Sequence, residues 1–249
     1  MSKIRVTYSG LISFATNLVT VVTGLIFVII VTRTLTIEEF GTWGLISGLF
    51  AYAVIISPVV CYWSTRETAR GEKSGKTAVT TNSLLSFLGV TIYVIIAYFV
   101  AKQSNLDESV ILFAAILLPV IFLNDTLVSI IRGWKTHSLN YGKLAFEISK
   151  ILFVVIFVYF WNLGVWGAIV ALFIAYLPSI AILLIYNIPK IKDEFNFEYV
   201  KKWFKLFWVP TYRQLPGTLV LTDVVIFSVI TGSVVGVAYF TAARTIGYL

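Results

Sequence analysis

The residues with most chemistry to offer are those that interrupt long apolar runs. Asp223 stands among apolar neighbours, with Thr218 and Thr222 close by, and Arg244 interrupts the apolar run that follows. Counted from the turn at Gly232, Asp223 lies nine residues back and Arg244 twelve forward. At about 1.5 Å rise per residue their depths differ by only ~5 Å, so the two can pair. Such a pair is either a structural bridge between neighbouring helices or a proton- or sodium-sensitive carboxylate beside a cation that holds phosphate. Glu147 and Lys150 are three apart and share a helix face, where structural pairing is the stronger reading and Lys150 can snorkel. Asp125 and Arg132 sit two turns apart, with Asn124 adding polarity, and Arg213 stands near the start of a later apolar run. A phosphate-bearing ligand needs several such cations, because its charge cannot enter a dry bilayer.

Gly10, Ser13, Asn17, Thr20 and Gly24 recur every three or four residues. That small, polar stripe either lines a cavity, with Asn17 as its candidate residue, or lets helices pack closely and hydrogen-bond; packing is the commoner outcome. Pro58, Pro119, Pro178, Pro210 and Pro216 interrupt apolar runs or their ends and allow bending. One cysteine, Cys61, excludes an intramolecular disulfide, and one histidine, His137, leaves a metal site short of ligands. No catalytic group, metal or cofactor is expected.

The elements that must position these residues follow from composition. Hydrophobic residues make up 59% of the 249, charged residues 12%, and mean hydropathy is +0.92. Soluble domains carry roughly 25% charge, so lipid is the solvent here and the fold class is an all-α polytopic membrane bundle. A crossing needs about 20 apolar residues. Seven runs qualify: 11–31, 41–63, 80–101, 110–131, 144–161, 164–186 and 207–230, with an eighth starting near Val234. This divides the chain into a six-span bundle (1–186), a cytoplasmic linker (187–206) and the start of a second bundle (207–249), with span eight incomplete.

Loop charge sets direction. One side collects Lys3 and Arg5; Arg66, Arg70, Lys73 and Lys76; Arg132, Lys135 and Lys143; and the lysines at 190, 192, 201, 202 and 205, against only Arg33 and Lys102 on the other. The N-terminus is therefore expected in the cytoplasm. The net charge of +7 belongs to the anionic leaflet, with membrane lipids as partners and no nucleic acid. The tryptophans at 43, 63, 134, 161, 166, 203 and 208 fall at or beside span ends, where headgroup-level placement is expected. Residues 197–205 read as an amphipathic surface helix.

The segment Arg33-Thr34-Leu35-Thr36-Ile37-Glu38-Glu39-Phe40-Gly41-Thr42-Trp43 resembles the first outer loop of the polysaccharide flippases in the multidrug/oligosaccharidyl-lipid/polysaccharide exporter superfamily. The segment from Ser64 to Arg70 resembles their first cytoplasmic loop, and Pro210, Leu215, Asp223, Gly232 and residues 236–243 the opening of their second half. The resemblance implies two six-helix bundles related by a parallel repeat, of which this chain holds the first and the beginning of the second, as a fragment. It also implies transport of a lipid-linked oligosaccharide or polysaccharide precursor across the cytoplasmic membrane by alternating access, with a proton or sodium as coupling ion. The alternatives are an exporter of cationic drugs, a membrane-embedded enzyme of polysaccharide assembly, and a packing subunit whose membrane charges are structural.

Overall fold

The computed structural model describes residues 6–103 and 107–247, and every described element is helical. α1 (Val6–Thr34) leads to α2 (Ile37–Ala53), α3 (Ser57–Ala69) and α4 (Gly75–Gln103). After α5 (Glu108–Phe113) and a 3₁₀ turn come α6 (Leu117–Trp134), α7 (Leu139–Val154) and α8 (Gly164–Ile191). The short α9 (Phe197–Lys205) precedes α10 (Trp208–Thr231) and α11 (Val234–Gly247). Among the described residues five helical stretches, one of them α5 through α6, are long and apolar enough to cross a membrane, and α2 with α3, bent by 58°, adds a sixth if the pair is one span.

Cross-contacts show the chain alternating between two ends. At the basic end, Gly75 packs on the Lys190 carbonyl and Gly133 on that of Thr65. At the opposite end, Gln103 Nε2 donates to the Val229 carbonyl at 3.0 Å, and Gly41 lies against Val234. Exposed Leu, Phe, Ile and Val side chains cover the outside of α1, α4 and α8, as a lipid-facing surface requires.

The second expected span is not continuous. It breaks at residues 54–56, because Pro58 has no N–H to donate to the Val54 carbonyl and its ring crowds the preceding turn. Pro119 likewise leaves the Ala115 carbonyl without its helical donor, and the chain tightens to 3₁₀ over Ala114–Ile116. Pro178 and Pro216 lie inside α8 and α10 without a break, and Pro210 sits in the first turn of α10. The fifth expected span is α7 continued by π-helical turns over Val155–Phe160, and α7, at 16 residues, is not among the helices counted above. The sixth runs past Tyr186 to Ile191, taking in residues expected in the linker. Its last turn is pinned to α6, where Asn187 Nδ2 donates to the Leu127 carbonyl at 2.9 Å and Trp134 Nε1 donates to Asn187 Oδ1 at 3.3 Å.

α9 is amphipathic as expected, but it docks on protein. Trp203 is completely buried against Val60, Trp63, Ala78 and Ile130. Trp203 and the buried Trp63 therefore depart from headgroup-level placement; neither indole N–H finds an acceptor among the described residues. Lys202 Nζ bonds the buried Glu67 at 2.8 Å, Tyr199 Oη donates to Glu72 at 2.8 Å, and the Asn196 N–H donates to Thr77 Oγ1 at 2.9 Å. Burial and the Glu72 acceptor push the Tyr199 phenol up to about 12, so it remains a donor at neutral pH. Trp203→Ala should cost about 3–5 kcal/mol and release α9, read as new proteolytic cleavage near residue 200 in an otherwise intact bundle.

Candidate functional site

Three separate places receive the charged candidates. The largest is a cavity of about 710 Å³ between α3, α6 and the start of α10. Its wall begins at the helix break with Ser57, Pro58 and Cys61 and continues to Thr65 and Arg66. α6 adds Asp125, Ser129 and Arg132, and α10 adds Pro210, Arg213 and Gln214. Non-helical backbone at membrane depth is tolerated where it lines such a space, which gives the Pro58 break a position as well as a cause. Arg66, Arg132 and Arg213 are exposed, and Asp125 is the one carboxylate among the lining residues. Arg66 is aimed by Tyr62: its Nη1 donates to the phenol oxygen at 2.5 Å, and its guanidinium lies 5.3 Å over the Tyr62 ring. Asn124 turns away and accepts from Ser179 of α8 at 3.1 Å, so it adds nothing to this cavity.

The wall behind the cavity is held by Asn82, buried on α4. Its Nδ2 donates to the Phe122 carbonyl at 3.1 Å and to Thr126 Oγ1 at 2.7 Å, and lies 3.0 Å from Ser57 Oγ. This residue joins α3, α4 and α6, and the sequence offered only a polar residue in an apolar run as its signal.

The second place lies between α10 and α11. Arg244 Nη1 bonds Asp223 Oδ1 at 2.8 Å, the pairing expected from depth, and the same oxygen accepts the Val224 N–H at 2.7 Å. The side chains are 20% and 41% exposed, and Arg244 borders a small cavity of about 190 Å³ with Phe27, Trp43 and Ser47. Thr218 and Thr222 bond carbonyls one turn back in their own helix, so neither donates to Asp223.

The third is the seam between α1 and α7. Asn140 Nδ2 donates to Ser13 Oγ at 3.1 Å, and Lys143 Nζ to Asn17 Oδ1 at 2.9 Å. Thr23 and Lys150 both donate to the buried Glu147, each at 2.5 Å. The polar stripe of α1 is therefore a packing seam and Asn17 lines neither cavity. Thr20 bonds its own helix, Thr23 takes the inter-helix role, and Gly10 and Gly24 approach no described neighbour. Lys150→Met should cost about 3–5 kcal/mol by leaving Glu147 charged without its cation. The double variant Glu147→Gln/Lys150→Met should recover most of that in thermal unfolding.

Away from the basic end the structure is closed. A side chain on Gly44 would fall 2.4 Å from Thr241 Oγ1, and one on Gly41 would fall 2.3 Å from the Val234 carbonyl. Gly48 meets Val225 and the Leu221 carbonyl at 3.1 and 3.3 Å by the same measure. One glycine face of α2 thus receives both α10 and α11. The loop before it is equally built: Thr36 and Glu39 form a reciprocal capping box, and Gly164, at φ +58°, lies so close to Glu39 that no Cβ fits.

No family model and no curated protein matches this chain. Solved structures do. An inward-facing multidrug resistance MATE family transporter of the MOP superfamily superposes with TM-score 0.71 and 17% identity, over 90% of this chain and 57% of that one. An outward-facing MATE transporter gives 0.70 and 17%, over 94% and 57%. A MOP superfamily transporter from Pyrococcus furiosus, described as having a binding pocket of reverse polarity, gives 0.70 and 18%, over 99% and 59%. The chain spans less than three fifths of the length of these structures, and over that length it has the helical fold of MOP superfamily transporters.

Proposed function

We propose that this chain forms the first bundle and the opening of the second in an alternating-access transporter, and that its cargo is an anionic lipid head group. The observation that carries this reading is the cavity with three arginines and one carboxylate, lined from the helix break to the basic end. Guanidinium groups bind phosphate through paired, charge-assisted hydrogen bonds, and a lipid-linked oligosaccharide presents such phosphates while its tail stays in the bilayer. With the basic end cytoplasmic, the glycine seam closes the outer end, so the arrangement is inward-facing. The N-terminus then lies in the cytoplasm, and residues 187–206 bridge the two bundles on that face.

The drug-exporter reading has its own support in the MATE likeness. A cationic cargo would have only Asp125 to meet it among the cavity's charges. Deleting the gene tests the two readings. Accumulation of a lipid-linked sugar on the cytoplasmic leaflet is expected; normal leaflet distribution with new sensitivity to cationic drugs would support the exporter instead.

A further inference from the structure

We infer that Asp125 is the proton site linked to the cargo: an anion held by the cavity's arginines puts a second negative charge beside it, and Asp125 takes up a proton. This rests on the reading of the cavity as an anion site and adds a regulator to it. Asp125 makes no hydrogen bond and no ion pair with any described residue, although it stands in the wall of a cationic space. The other groups facing it are Cys61, Tyr62 and Arg66 on α3, Arg132 on its own helix, Tyr176 on α8 and Arg213 on α10. Asp125 and Arg132 stand two turns apart on α6 without an ion pair, so the carboxylate shares one cationic space with the cargo and has no fixed partner there.

The linkage is reciprocal. An anion held by Arg66, Arg132 and Arg213 neutralises the positive field around Asp125 and adds like charge beside it, which favours the neutral acid. Protonation of Asp125 in turn removes that repulsion. Cargo and proton therefore bind together, and affinity rises as pH falls.

The native protein in detergent would be titrated calorimetrically with farnesyl-diphosphate-linked N-acetylglucosamine from about pH 8 to about pH 5, a range in which such a carboxylate titrates. The probe is a diphosphate diester with no proton of its own to exchange there. Repeating each titration in two buffers of different ionisation enthalpy counts the protons. The expected result is an affinity that rises toward acid by up to about tenfold per pH unit, with net uptake of up to one proton. Asp125→Asn should bind tightly with no pH slope.

A wild-type affinity that is flat with pH, or a slope that survives Asp125→Asn, overturns the proposal. So does a dependence on sodium in place of protons. If that flat binding is lost in Arg132→Gln, the anion site stands and only the role of Asp125 falls. Proton uptake is read on the wild-type protein, so misfolding of the variant would not protect the idea. Absence of wild-type binding at every pH would overturn the anion-site reading together with this one.

Discussion

Replacing Arg66, Arg132 and Arg213 together by glutamine should reduce transport of a lipid-linked sugar below detection while the protein still folds. Each guanidinium offers hydrogen bonds to a charged ligand worth about 1.5–3 kcal/mol, or roughly ten- to a hundredfold in affinity. Single variants should therefore show graded losses of that size, and the triple variant a loss near their product for contacts that act independently. All three side chains are exposed and none forms a salt bridge with another described residue. Thermal unfolding should change little, since surface substitutions away from special features stay within about 0.5 kcal/mol. Arg66 is the partial exception, because it loses its Tyr62 contacts. A cationic cargo would give the reverse pattern: the same variants would transport as well as wild type or better. Flipping rate and unfolding temperature, measured on one set of purified variants, separate the two.

The second large effect is expected from locking the seam at the far end. A Cβ on Gly48 would lie 3.6 Å from Val224 Cβ, inside the range of about 3.5–4.5 Å that a disulfide requires. Gly48→Cys/Val224→Cys, in a Cys61→Ala background, should crosslink readily under mild oxidation. α2 and α10 would then be unable to part, and transport should stop completely. Reductant should restore it, and the single-cysteine variants should be unaffected by oxidant. Full transport by a quantitatively crosslinked protein would mean that α2 and α10 never separate, and the alternating-access reading would lose its outer gate.

Much of this architecture is legible in the sequence because membrane crossings leave a coarse signal. Apolar runs of the right length mark the spans, and basic clusters alternate in step with the two ends that the contacts define. The Asp223–Arg244 pairing follows from counting outward from Gly232. What escapes is everything that depends on a partner distant in sequence. Pro58 looks no different from Pro178, yet only the first breaks its helix, and the break becomes meaningful only beside Asp125 and Arg213. Trp203 carries the composition of an interfacial anchor, but a pocket made by three other helices removes it from the surface. Glu67 reads as part of a charged loop until Lys202 is seen to reach it. Gly41, Gly44 and Gly48 gain their importance from Val234, Thr241 and Val225, nearly two hundred residues away by numbering. The stripe on α1 shows that polarity in a span marks an interface as readily as a cavity.

The arginine-lined cavity is proposed to carry an anionic lipid head group between leaflets. The most direct test is flipping by the native protein in proteoliposomes loaded with a fluorescent diphosphate-linked glycolipid, read by a membrane-impermeant quencher added outside. Protein-dependent exchange of the inner-leaflet pool is expected, abolished in the triple arginine variant. Inner-leaflet fluorescence that stays protected at the level of empty liposomes, from protein shown to be folded and inserted, would contradict it.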